Sequence, residues 1–186
     1  MVRSVVAEIT RTTSLVGGNI DYNEFVDWAR GRADAVVSRS EEKLEKAGDL
    51  EYKWVDEPEG DTKVIAFRGG EAIGYVGLSK YLGGYKIITL GLKPAARGGG
   101  VAMKIYGYLI GKTKLYSDVH QTPEARRLWM RLSDLYDMKG YDPRTRKMFD
   151  VEKDEGKGEL VSLDPDIELY SDEEGSDVCL VVLGSR

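Results

Sequence analysis

The sequence predicts an α/β (α+β) fold built on a mixed, mostly antiparallel central sheet. Three observations carry that expectation. Lys63–Phe67 and Glu71–Ser79 flank Arg68-Gly69-Gly70, a hairpin signal, and a second turn, Tyr81-Leu-Gly-Gly-Tyr85, follows at once. Ile87, Ile88, Leu90 and Leu92 then form a β-rich apolar run that Pro94 ends, because proline donates no ladder hydrogen bond. After Gly98-Gly99-Gly100, apolar residues recur four apart at Val101, Ile105 and Leu109, which is a helical period.

The elements follow in order. Met1–Thr10, with Val5, Val6, Ala7 and Ile9, reads as a first strand, and Gly17-Gly18 breaks the chain. Asp21 with Glu24 three residues on caps a helix whose Phe25, Trp28, Ala29, Ala33, Val36 and Val37 share one face. Ser38 or Ser40 caps a second short helix ending at Gly48. Glu51–Val55 is a short strand before the acidic turn at 57–61, and the meander follows. A helix over 99–111, a strand over 114–119 and a helix over 123–138 come next. Met138–Met148 reads as a strand interrupted by a turn, and Asp177–Leu183 as a buried terminal strand. The acidic stretches 152–159 and 164–177 read as solvated loop.

At 186 residues the chain fits one domain, 1–186, with 150–177 an acidic loop region before the last strand. The net charge of −5 is spread over both signs, so no basic tract marks a nucleic-acid arm and no nucleic acid is expected. No apolar run is long enough for a membrane, and no signal-peptide core opens the chain, so no membrane and a cytoplasmic location are expected. Cys179 is alone, which excludes an internal disulfide or a cysteine metal cluster, and no metal site is expected.

The glycine turn has a physical use. Glycines let backbone approach a ligand, and a helix start presents unpaired N–H groups with partial positive charge. Together with Arg97 they suit a pyrophosphate. The same residues also fit a tight turn with one solvated arginine. Two nucleotide-binding patterns are absent, G-x-x-x-x-G-K-[ST] and G-x-G-x-x-G.

Pro94-Ala-Ala-Arg97-Gly98-Gly99-Gly100-Val101-Ala102 resembles the P-x-x-[RQ]-x-x-G-x-[GA] signature of the GNAT superfamily of acyl-CoA-dependent N-acetyltransferases. Leu115–Leu132 looks like that family's next strand and its A-x-x-L helix, and the S-D-x-x-Q-T-P wording is similar to bacteriophage-encoded members. The resemblance implies helices on both faces of the sheet and strands splayed at a cofactor cleft. It implies acetyl-CoA or coenzyme A as co-substrate, its pyrophosphate on Arg97, Gly98, Gly99, Gly100, Val101 and Ala102. The backbone of Leu90, Gly91 and Leu92 would then pair with the pantetheine arm, and an N–H near Leu90 would polarise the thioester carbonyl.

The catalytic groups depart from the family pattern. Lys86–Lys93 holds no carboxylate where many members place a glutamate, which leaves Asp118 and Glu124, the nearest carboxylates in sequence, and His120 as candidates for the base. Asp118 and His120 also fit ordinary capping or solvated positions. Where the family often uses a tyrosine acid after A-x-x-L, Ala125-Arg-Arg-Leu128 is followed by Trp129, whose indole N–H does not titrate. Tyr136, Tyr141 or Tyr106 could replace it if geometry brings one to the sulfur, and Tyr136 is taken as the candidate. Trp129 itself fits a core position beside Ala125, Leu128 and Leu132.

Two functions follow. One is an N-acyltransferase moving acetyl from acetyl-CoA to an amine of a protein or small molecule. The other is a weak or inactive protein of the same fold that works by binding a partner, such as a host protein or phage component. A homodimer stays open, and a phage-encoded chain would act in the host cytoplasm.

Overall fold

The computed structural model describes residues 44–56, 60–170 and 178–185. The first strand expected at 1–10 and the helix over 21–37 lie outside them. The described residues show a mixed α/β architecture, with two helices and a largely antiparallel sheet. They form two compact units, 44–78 with 88–101, and 79–87 with 102–185. Two strands, β4 (Glu71–Tyr81) and β5 (Gly84–Leu92), have residues in both.

In the first unit β1 (Glu45–Ala47), β2 (Leu50–Asp56), β3 (Thr62–Arg68) and β4 are antiparallel neighbours. The expected helix ending at Gly48 is not seen over Glu45–Ala47, which is strand. The reason is local: Gly48, at φ 64°, turns the chain so that Ala47 pairs with Leu50, and β2 supplies the backbone partners. The β3–β4 turn closes on Gly69 and Gly70, at φ 58° and 81°, values the Arg-Gly-Gly signal predicts. Alternation then sorts the core. Ile65, Phe67 and Tyr75 cluster on one face with Val55 and Ala72, while Val64, Ala66, Val76 and Leu78 are buried on the other.

In the second unit the start of β5 pairs in parallel with β6 (Leu115–Tyr116), through Tyr85↔Leu115 and Lys86↔Tyr116. β6 pairs antiparallel with β11 (Cys179–Ser185), which pairs with β7 (Tyr136–Asp142), and β7 with β8 (Lys147–Phe149). Two helices belong here by sequence, α1 (Val101–Ile110) and α2 (Pro123–Leu132). The strand expected over 114–119 is only two residues long. Past Tyr116, Ser117 turns to β11, its N–H donating to Leu180 O at 2.8 Å.

Helix α2 starts at Pro123 as expected, with Thr122 Oγ1 accepting from Ala125 N and Pro123 in the first turn. It ends at Leu132 rather than 138. Ser133 Oγ donates to Met130 O, and from Tyr136 the chain pairs residue by residue with β11. Ladder partners outweigh helical propensity there. The acidic region also departs from loop: β9 (Val151–Asp154) and β10 (Glu159–Ser162) form a hairpin with Leu160 buried.

Candidate active site

The glycine turn lies at the end of β5. Lys93 N–H donates to Ile73 O at 2.9 Å, and a short 3-10 turn over Pro94–Ala96 then swings the chain toward α1. Lys93 is paired with Glu71 at 2.7 Å, so its charge is already compensated. Arg97 differs. Its Nε donates to Leu92 O at 3.2 Å, the side chain is exposed, and no carboxylate pairs with it among the described residues.

Gly98 and Gly100 have φ of 78° and 71°, conformations that favour glycine. Gly99 differs only in its backbone, which is not at positive φ, since an added Cβ at any of the three meets nothing within 4 Å among the described residues. The first N–H groups of α1 follow this turn directly in the chain, and the helix's first turn carries no acidic residue. Val101 is buried and anchors the helix start, while Ala102 is half-buried. The turn can therefore hold an anion by backbone and guanidinium together.

Upstream, Leu90, Gly91 and Leu92 are half-buried. Gly91 is glycine for a reason visible on β4. A Cβ there would lie 2.5 Å from the Tyr75 ring, so the ring rests directly on the backbone. Burial pushes the Tyr75 hydroxyl pKa up, against a hydrogen bond with Thr89. The parallel ladder with β6 stops at Lys86, so it does not include the 90–92 backbone.

The second group of candidates follows β6. Ser117 is fully buried and acts as a junction: its Oγ donates to Asp118 O at 2.9 Å and accepts from Leu180 N at 2.9 Å and Gln121 Nε2 at 3.0 Å. Gln121 Nε2 also donates to Asp118 O. Asp118 Oδ1 accepts from Val119 N at 2.8 Å. Burial raises the Asp118 pKa above the usual carboxylate range, and the Val119 hydrogen bond and the charges of Lys86 and His120 only partly oppose it. His120 is exposed.

Tyr106, on α1, is buried, and its pKa is raised strongly, first by desolvation and then by the Asp118 charge. Tyr136 is in β7 rather than on a helix, and its hydroxyl lies where a Cβ on Gly107 would be 3.1 Å away. Asp118 and His120 thus share one loop with Lys86 and Tyr106 in electrostatic reach. No hydrogen bond among the described residues joins Tyr136 to either. Sequence reading assigned no catalytic or cofactor-binding role to Ser117, Gln121 or Lys86, since a buried hydrogen-bond junction leaves no periodic signal. Trp129 is 2 % exposed and takes the core position its helical face predicts.

The Acetyltransferase (GNAT) family matches residues 23–132, more than half of the chain. Among curated proteins none matches with significance. One of four solved chains that match is from Bacteroides thetaiotaomicron and is assigned to the GNAT family of acetyltransferases. It is 13% identical, with a TM-score of 0.41, covering 87% of this chain and 83% of its own. A likeness of that degree carries no argument about site or substrate.

Proposed function

Because the chain belongs to the acetyltransferase (GNAT) family, we propose that it moves an acetyl group from acetyl-CoA to an amine of a protein or small molecule. The observation that carries this reading is the 97–102 turn, an arginine with no carboxylate partner among the described residues and two positive-φ glycines opening a helix with no acid in its first turn. Arg97, Gly98, Gly99, Gly100, Val101 and Ala102 would hold the pyrophosphate. The Leu90–Leu92 backbone would pair with the pantetheine arm and direct an N–H at the thioester oxygen, a donor worth several kcal/mol when preorganised.

The amine arrives protonated and must lose a proton to attack. Asp118 would accept it, because a carboxylate with a raised pKa is a better base than a solvated one. Attack forms the new C–N bond, and collapse breaks the C–S bond and releases the thiolate of CoA. Tyr136 is the candidate to protonate that sulfur, with His120 as a second candidate for proton transfer. Such an enzyme would act in the cytoplasm, that of the host if the chain is phage-encoded.

One observation favours the partner-binding alternative: buried Trp129 occupies the position where the resemblance implies a tyrosine acid. The two readings separate in one experiment. Calorimetry with CoA, then transfer from labelled acetyl-CoA to polyamines, peptides and lysate protein, tests binding and chemistry in turn. Binding with transfer supports the enzyme. Binding without transfer to any acceptor supports the partner-binding protein, and no binding at millimolar CoA overturns the cofactor assignment.

A further inference from the structure

Charge is unevenly distributed along this acidic chain. Residues 79–87 and 102–121 hold five lysines against one aspartate, while the rest holds 22 basic and 31 acidic residues. No run of sequence shows this as a basic tract. The fold gathers the lysines, because Tyr85 N–H donates to Lys114 O at 2.9 Å, joining the β4–β5 turn to the loop after α1.

Tyrosine rings lie between them. Lys86 Nζ is 5.1 Å from the Tyr81 ring centre, and Tyr81 stands edge-on to Tyr116 at 5.0 Å. Lys114 Nζ lies over Tyr116 at 5.6 Å, and Lys112 Nζ over Tyr108 at 5.7 Å. Two open hollows adjoin here. The larger, about 460 Å³, is lined by Lys80, Tyr81, Leu82, Gly84, Tyr85 and Thr113. The smaller, about 250 Å³, takes in Ile110, Thr113, Lys114, Val182 and Leu183. Thr113 borders both, with a lysine on either side of it in sequence.

Leu82 supplies an independent observation. It is 54% exposed and has φ 45°, followed by Gly83 at φ 75°, the geometry of a two-residue type I′ hairpin turn. Asparagine, aspartate or glycine suits the first of those positions, and a branched apolar side chain does not. This leucine, at a positive φ and more than half exposed, sits at the rim of the hollow that Lys80 lines. Strain of this sort collects where a side chain has another use.

We propose that the two hollows bind single-stranded nucleic acid, with bases against Leu82, Tyr85 and Leu183 and phosphates at Lys80, Lys112 and Lys114. Apolar and aromatic platforms alternating with cations are what a flexible polyanion of stacked rings requires. The larger hollow is of small-molecule size, ~300–1,000 Å³. A flat lipid surface would leave both hollows unfilled. This inference does not depend on the acetyltransferase reading, and its test omits acetyl-CoA.

The probe is a labelled oligothymidine of about 12 nucleotides, followed by fluorescence anisotropy from ~50 mM salt upward. Wild type binds, with affinity falling linearly on a log–log salt plot. Lys80→Gln and Lys114→Gln each lower the slope by about 1, whereas Lys147→Gln, the same charge change on exposed β8, leaves it unchanged. Leu82→Asn keeps or raises the melting temperature, since asparagine tolerates that φ, yet lowers affinity severalfold. Absence of binding at low salt overturns the proposal, as does an equal loss in the Lys147 variant or unchanged affinity in Leu82→Asn. Phosphatidylserine vesicles that bind with the same variant pattern would overturn it in favour of a lipid surface.

Discussion

The ring of Trp129 stands edge-on to that of Tyr106, with centroids 5.5 Å apart and planes at 77°. The pair joins α2 to α1 and buries both side chains. It also explains why no tyrosine acid projects from this point of α2. The indole fills the space, and the tyrosine beside it is held neutral by burial.

Trp129 is therefore expected to act through stability. Trp129→Ala should cost ~3–5 kcal/mol, read as a shift in denaturant midpoint. Trp129→Phe, which keeps an aromatic edge for Tyr106, should cost less and leave CoA affinity intact. Unchanged stability in the alanine variant, with loss of transfer, would move Trp129 from the core into the reaction.

Gly99 offers the cleanest probe of the proposed phosphate site, because an added Cβ is unobstructed among the described residues and its φ is not positive. Gly99→Ala should fold normally and bind CoA near wild-type strength. Gly99→Asp should fold as well but repel the pyrophosphate, weakening binding about tenfold or more, on the scale of a charge-assisted hydrogen bond. Equal affinities for the two variants would separate this turn from CoA.

Asp118 gives a pH prediction of definite sign. Its folded pKa lies above the unfolded one, so the native state holds the proton longer as pH rises. The resulting destabilisation is absent below the unfolded pKa, grows as pH rises, and is complete above the folded pKa. Asp118→Asn should therefore raise the melting temperature at neutral pH and make no difference in strong acid. As the proposed base, its loss should also slow transfer about 10²–10⁴-fold without altering CoA affinity. An asparagine variant that is less stable at neutral pH contradicts the burial argument, and one of full activity removes Asp118 from the mechanism.

Arg126 ties the β9–β10 hairpin to α2. Its Nη1 donates to Glu159 at 3.0 Å, its Nε to Gln121 O at 3.3 Å, and its guanidinium lies 4.3 Å from the Tyr170 ring centre. Burial and the Glu159 charge push the Tyr170 hydroxyl up to about 12. Arg126→Met should cost about 1–3 kcal/mol by leaving Glu159 half-buried and unpaired. Hydrogen exchange should show faster amides in 151–162 than in β7 or β11. Uniform change across the unit would mean the hairpin is not held separately.

The sequence by itself determined the meander, the β5–turn–α1 segment and the terminal strand, since each rests on local chemistry. Gly69-Gly70 must turn, Pro94 must stop a ladder, and the 101–109 period must form one helical face. The glycine turn at 97–102 was legible for the same reason, being contiguous in sequence. Tertiary structure alone decided where α2 ends, because Tyr136 and its neighbours find backbone partners on β11 that propensity does not register. It also decided the β9–β10 hairpin, whose charges look like solvated loop until Arg126 and buried Leu160 are in place. The Ser117 junction reaches across to Leu180, and Lys80 and Lys86 meet Lys112 and Lys114 only through the fold. Hydrogen bonds and charge act through space, and only the folded chain sets those distances.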